Sequence, residues 1–335
     1  MTRAAPFDAV LVVAFGGPQG LADIRPFLAN VLRGRRVPPA RVEDVATHYE
    51  RFGGVSPLTE ITRRQTAGLR ARLAAQGLDV PVYLGMRNWH PLLPDTLRTM
   101  AQDGVRRAVG FICAAHRSYS SCTQYKQNVA DARGEAVGGG LRDVEVTYVG
   151  DWHTHEGFID ANARHVRTAI ASLPSPVRGA ARIVFTAHSI PVSMAGAERY
   201  RLQLLESARL VAERVGTSDW ALVFQSRSGR PEDPWLGPDV CDYLRTERAA
   251  GLEAAVLCPI GFICDHIEVL YDLDDEAAEA ARSIGLPMAR AETVNDDRAF
   301  LDMMADVVMT TWTRYERGVP LTVVPSGPAE GGRHV

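Results

Sequence analysis

Short runs of apolar and β-branched residues recur along the chain, each followed by a stretch in which apolar positions return every three or four residues. The runs fall into two sets of four, at 9–14, 80–84, 108–114 and 144–149, and at 182–186, 220–224, 254–259 and 287–291. Each short run predicts a strand and each periodic stretch a helix. Within the runs hydrophobicity is continuous rather than alternating, which predicts strands covered on both faces and hence parallel sheets with right-handed helical crossovers. The predicted fold is α/β, with two similar Rossmann-like halves. Each half is a four-stranded parallel sheet flanked by helices.

The first half is expected over residues 7–173 and the second over 177–316, joined at Leu173-Pro174-Ser175-Pro176 after a helix at 156–172. The halves differ by an insertion at 18–77. It carries helical patterns at 21–32 and 39–52, the turn signal Gly53-Gly54, and a third helix from Ser56 or Pro57. Insertions of this length after a strand often form lids. A closing helix is expected at 296–315, and residues 319–335, rich in Pro, Gly and Ser, read as a loose tail.

Composition narrows the partners. With 335 residues, 46% hydrophobic and 23% charged, the chain is of ordinary globular make-up. A net charge of −3 provides no basic field, so neither nucleic acid nor an anionic membrane is the expected partner. Lys126 is the only lysine among 37 Lys and Arg residues, a bias that carries no function by itself. The five cysteines, Cys113, Cys122, Cys241, Cys258 and Cys264, are odd in number and form no C-x-x-C pair. Reduced thiols in a cytoplasmic protein fit that pattern. No apolar stretch reaches the length of a transmembrane span.

In open parallel sheets, ligands bind beyond the carboxyl ends of the strands. His188 falls there, directly after the run ending Thr186-Ala187, in a turn closed by Pro191. A histidine in such a turn is either structural or an acid–base and metal-binding group. Glu268, Asp272 and Glu276 stand at i, i+4 and i+8 of a helix expected to begin near Asp265, which stacks three carboxylates on one face. Such a row is a solvated face or a path for a cation or protons. Its apolar neighbours Ile267, Leu270, Tyr271 and Leu273 and its place at the crevice weigh toward the path. His153-Thr154-His155 lacks a completing cysteine and suits a turn and helix start better than a metal site. Gly16-Gly17-Pro18-Gln19-Gly20 has neither the dinucleotide fingerprint nor a Walker lysine.

Several ordered motifs together resemble the ferrochelatase family across about residues 7 to 315. They are Phe15-Gly16-Gly17-Pro18, Gly53-Gly54-Val55-Ser56-Pro57, Gly85-Met86-Arg87-Asn88-Trp89-His90-Pro91 and Tyr119-Ser120-Ser121-Cys122-Thr123-Gln124-Tyr125 in the first half. In the second half they are Thr186-Ala187-His188-Ser189-Ile190-Pro191, Phe224-Gln225-Ser226-Arg227-Ser228-Gly229, Pro234-Trp235-Leu236-Gly237-Pro238-Asp239-Val240 and the run Gly261 to Asp272. The resemblance implies the chelatase-type fold and insertion of Fe²⁺ into a porphyrin as the activity. Fe²⁺ is then a substrate, and no permanently bound cofactor is implied.

By motif position His188 resembles the family's iron ligand and proton acceptor, and Glu268 the carboxylate facing it. Asp272 and Glu276 would extend a polar path for metal or protons. Ser56 and Tyr125 occupy porphyrin-contact positions, Arg33 in Leu32-Arg33-Gly34-Arg35-Arg36 is either a propionate partner or part of a solvated loop, and Phe15, Trp89 and Trp235 offer flat apolar surface or core packing. The Phe-Gly-Gly-Pro start, the Gly-Gly-Val-Ser-Pro turn and the Ser-Tyr-Ser-Ser-Cys segment resemble the bacterial branch that uses coproporphyrin III. A protoporphyrin IX enzyme and a silent porphyrin carrier are the alternatives. Contacts with neighbouring haem-pathway enzymes would be transient. Two departures matter: Phe15 stands where some members carry an iron-approaching Tyr, and no cysteine follows Cys264, so an iron–sulfur cluster of the C-terminal type is not expected.

Overall fold

A computed structural model describes residues 5–34, 37–228 and 232–318; the expected tail and the arginines at 35 and 36 lie outside them. The first half runs β1 (Ala9–Ala14), α1 (Ile24–Val31), α2 (Pro39–Arg51), α3 (Leu58–Ala75), β2 (Val82–Met86), α4 (Leu93–Gln102), β3 (Arg107–Ile112), α5 (Gln124–Gly138) and β4 (Glu145–Tyr148). Helix α6 (Glu156–Ser172) leads into the second half. There follow β5 (Ala181–His188), α7 (Ala197–Val215), β6 (Trp220–Gln225), α8 (Val240–Ala249) and β7 (Ala254–Cys258), then α9 (Ile267–Val269), α10 (Ala278–Ser283), β8 (Met288–Arg290) and α11 (Arg298–Glu316).

Both sheets are four-stranded and parallel, ordered β2-β1-β3-β4 and β6-β5-β7-β8. This is the same winding twice. The central strands β1 and β7 are buried at every position, whereas the edge strands β4 and β8 are half-buried or more open. Continuous hydrophobicity is thus strongest where both faces and both edges are covered. Strand β2 begins two residues later than the apolar run predicts, after Pro81, whose carbonyl accepts from Val10 N–H at 3.0 Å but which has no N–H of its own to donate.

The two sheets share one core. Phe111 of β3 stacks on Trp152 at 5.5 Å, and Trp152 meets Phe158 of α6 and Phe300 of α11 at 5.4 and 5.8 Å. Each fully buried aromatic of this kind contributes about 1.5–3 kcal/mol. The same apolar cluster takes in Phe185, Val256 and Ile260 from the second half. Helix α11, the last element of the second half, packs on α3 and β3 of the first. The relative position of the sheets, and with it the cleft, is therefore fixed by side-chain packing.

Candidate active site

The carboxyl ends of β5, β6 and β7 converge on His188. It is the last residue of β5, in register with Gln225 at the end of β6. Its backbone is held from both sides: Ser189 N–H donates to the Gln225 carbonyl at 2.8 Å, and the Tyr200 hydroxyl donates to the His188 carbonyl at 3.2 Å. Across from it, the turn after β7 approaches so closely that a Cβ at Gly261 would lie 2.6 Å from Cβ of Ala187. Only glycine allows this approach, and Gly261 N–H uses it to donate to the Thr186 carbonyl at 3.1 Å.

The His188 ring orientation follows from one hydrogen bond. Nδ1 lies 2.5 Å from the Ser189 carbonyl. A carbonyl can only accept, so Nδ1 carries the proton and Nε2 keeps its lone pair. That Nε2 stands 3.9 Å from a carboxylate oxygen of Glu268. The two side chains are 34% and 47% exposed, enough for a ligand to reach both. An imidazole nitrogen with a free lone pair beside a carboxylate can bind a divalent ion or accept a proton. Among the described residues no group of three or more His, Cys, Asp or Glu is arranged to hold a metal ion. As a metal site the pair would be half complete and would need ligands supplied from elsewhere.

The acidic row departs from the sequence expectation. Only Ile267–Val269, capped by His266 Nδ1 accepting from Val269 N–H at 3.1 Å, is α-helical at the start. Leu270–Ala277 is a π-helix, so the carboxylates do not ride an ordinary α face. Widened turns of this kind are frequent at functional sites. Asp272 is the tightly held member. Gln225 donates its amide to Asp272 at 3.2 Å and more weakly to the Glu268 carbonyl, and the Ser226 hydroxyl donates to the same Asp272 oxygen. Ser226 adopts a left-handed backbone, φ 61°, a conformation costing of order 1 kcal/mol outside glycine that the surrounding bonds sustain. Burial, then the charges of Glu268 and Glu276, raises Asp272 to about 7 against the pull of Ser226 and Gln225. Burial, followed by Asp239, also raises Glu276. Beyond Asp272 the row opens into a depression of about 680 Å³ lined by Asp272, Asp275 and Glu276 with Asp239, Arg245 and Arg282.

The insertion roofs this segment. Ile24, Phe27 and Leu28 of α1 and Ala46 and Tyr49 of α2 form one apolar cluster with Ile267, with Leu270, Phe15 and Trp89 against it. His48 stacks on Tyr271 with centroids 3.7 Å apart and planes 10° apart, and Arg51 pairs with Asp275 at 2.6 Å. The first half thus grips the π-helix of the second directly. Sequence reasoning missed His48 and Arg51, whose partners lie more than 200 positions away and leave no local signal.

The other expected residues are spread along the first half's wall. Phe15 directly follows β1 and meets Phe27 edge-on at 6.2 Å. Tyr125 on α5 is 6% exposed, and Ser56 is 3% exposed, wedged so tightly on Gly17 that a Cβ there would lie 2.6 Å from Cβ of Ser56. Either could touch a ligand only through the small area it leaves open. Arg33 is exposed and donates to Asn30 Oδ1 at 2.6 Å, while Asn30 donates to the Asn88 carbonyl at 3.1 Å. Trp89 packs edge-on to Phe27 at 6.4 Å, and Trp235 buries an indole nitrogen with no hydrogen-bond partner among the described residues. His153 and His155 do not share a site: His153 bonds Glu206 at 2.9 Å, and His155 caps α6 while bonding Asp306 at 3.0 Å.

The structure is thus two four-stranded parallel α/β halves with an imidazole and a carboxylate facing each other near the sheet ends, an arrangement open to binding a metal ion or accepting a proton. The sequence model of the family described as Ferrochelatase matches residues 7–312, and the chain belongs to that family. It is 47% identical over 310 residues to the ferrochelatase of Rhodopirellula baltica, covering 92% of this chain and 87% of the relative. It is 45% identical over 321 residues to the coproporphyrin III ferrochelatase of Streptomyces coelicolor, covering 91% and 86%. The same fold occurs in the sirohydrochlorin chelatase SirB of Bacillus subtilis subspecies spizizenii in complex with cobalt. There the TM-score is 0.53 and the identity 10%, over 92% of this chain and 97% of that one. Among the described residues no helix is long and apolar enough to cross a membrane.

Proposed function

We propose that this chain inserts Fe²⁺ into coproporphyrin III, releasing two pyrrole protons and forming iron coproporphyrin III. The observation that supports it most is the 3.9 Å distance from Nε2 of His188, at the carboxyl end of β5, to the carboxylate of Glu268, on α9 after β7, in a chain of the ferrochelatase family. His188, locked as the Nδ1–H tautomer, receives the ion or a pyrrole proton at Nε2. Glu268 balances the positive charge and supplies oxygen, a donor set without the thiolate softness that favours zinc or copper. The four porphyrin nitrogens complete the ligand set of the half-site, and the ion leaves with the product. Asp272 and Glu276 carry metal or protons between this pair and the surface depression.

The coproporphyrin branch rests on the motifs of the first half and on relatives such as that of Streptomyces coelicolor, which carries coproporphyrin III in its name. Phe15, Ser56, Tyr125 and Arg33 form the wall against which the tetrapyrrole lies. A cytoplasmic location, passing contacts with neighbouring haem-pathway enzymes and operation without a resident iron–sulfur cluster belong to the same reading. Burial pushes the Cys264 thiol up to about 12, so it is poorly disposed to act as a thiolate ligand. An anaerobic side-by-side assay of Fe²⁺ insertion into coproporphyrin III and protoporphyrin IX tests the reading. A higher kcat/KM with coproporphyrin III is expected, and an equal or higher value with protoporphyrin IX overturns the substrate choice.

A further inference from the structure

Arg87 follows β2 directly, at the carboxyl end of the first sheet where a ligand crevice is expected. Its backbone is pinned by Arg87 N–H donating to the Ala14 carbonyl at 3.0 Å, and Asn88 N–H donates to Phe15 at the same distance. The side chain is half-buried. The guanidinium lies 4.5 Å from the Tyr125 ring centroid and 5.7 Å from that of Phe15, and its Nε donates to Asn128 at 2.7 Å. Among the described residues it has no carboxylate partner.

That isolation sets it apart. The buried or half-buried guanidiniums of Arg117, Arg182 and Arg290 are each neutralised, by Asp151, by Asp219 and Glu247, and by Asp265 and Asp274. Arg248 has no carboxylate either, but spends its fork on the Leu252 and Ile284 carbonyls. Arg107 lies over Tyr315 at the opposite end of its strand from the crevice. Arg87 alone of this set combines partial burial, two aromatic faces, a fixed orientation and a place at the strand ends. A cation withdrawn from water without a counter-ion gains most from an anion that docks on it, and a planar fork held on aromatic rings suits a carboxylate.

We propose that Arg87 is a substrate-anchoring residue that receives one propionate carboxylate of the tetrapyrrole. Arg33 lies on the same wall, linked through Asn30 to the Asn88 carbonyl, so the two arginines offer an inner and an outer carboxylate contact. The inference rests on the proposed coproporphyrin reaction, which brings four carboxylates to this cleft.

The test is metal-free titration of the protein with coproporphyrin III and with its uncharged tetramethyl ester, followed by porphyrin fluorescence in detergent. Arg87→Met should weaken coproporphyrin III binding by roughly tenfold to a hundredfold, the range of a lost charged hydrogen bond, and leave ester binding within about threefold. Arg87→Lys should recover part of the loss through charge alone. Equal losses for acid and ester would make Arg87 a packing residue and overturn the anchor, as would unchanged binding of both by a variant of normal circular dichroism and melting. Failure of the unmodified protein to bind coproporphyrin III at all would instead overturn the substrate reading beneath it.

Discussion

Nε2 of His188, the last residue of β5, faces Oε2 of Glu268, on the short α9 that follows β7, at 3.9 Å. The two residues are 80 positions apart, and the parallel pairing of β5 with β7 makes them neighbours. His188→Ala removes the only lone-pair nitrogen of the pair while leaving the wall of the first half intact. Iron insertion should fall by about two orders of magnitude or more, the usual scale of a lost acid–base group, with porphyrin binding retained. Near-normal turnover in the folded variant would remove His188 from the chemistry.

Asp272 gives the acidic row a test of its own. Its carboxyl is raised to about 7, so it is largely neutral below that value and anionic above it. If Asp272 passes metal or protons, the apparent affinity for Fe²⁺ in the unmodified enzyme should improve as pH rises through about 7. Asp272→Asn keeps the shape and removes the titration. Its iron saturation should be weaker at pH 8 and nearly flat from pH 6 to 8, with porphyrin affinity unchanged. A pH profile identical to the unmodified enzyme would return the row to a solvated face.

The strands and the histidine turn were legible because burial on both faces writes itself as unbroken apolar runs, and His188 ends one of them. The π-helix was not. Leu270–Ala277 has ordinary helical spacing, and the residues that grip it, His48 and Arg51, come from the distant insertion. Ser56 and Tyr125 show a second limit: a motif places a residue at a wall, but not how much of it the neighbouring Gly17 or Arg87 leaves uncovered. Arg87 itself was hidden among arginines, since only the three-dimensional inventory of carboxylates reveals which guanidinium lacks one.

The join between halves should make stability sensitive to acid. His116 is buried between β3 and α7, its Nε2 2.9 Å from Ser207 Oγ and its Nδ1 without a partner among the described residues. Burial, aided by nearby His153, lowers its imidazole to about 3. The unfolded chain takes up this proton near 6.5 and the folded chain only near 3, so stability present above 6.5 is lost as pH falls through that window. Loss at this site is limited to about 1.4 kcal/mol per pH unit. Urea unfolding at pH 7.5 and 5 should show His116→Gln losing less stability between the two conditions than the unmodified protein. An unchanged difference would mean that His116 is protonated at no cost in the fold.

The turn after β7 offers a prediction about how packing places the ligand. A methyl group at Gly261 would lie 2.6 Å from Cβ and 2.8 Å from Cα of Ala187, a fully buried residue with no flexible side chain to yield. Gly261→Ala must therefore push β5 and this turn apart next to His188. Overpacking of this kind costs about 1–3 kcal/mol, and the displaced imidazole should lose its alignment with Glu268. Melting temperature and kcat should fall together. Ala187→Gly added to Gly261→Ala removes the shorter of the two contacts, so the double variant should regain part of the activity even though glycine in a strand is itself unfavourable. Recovery of kcat without full recovery of melting temperature would tie the lost activity to the position of His188. Loss of melting temperature with kcat unchanged in the single variant would show instead that the site tolerates the shift.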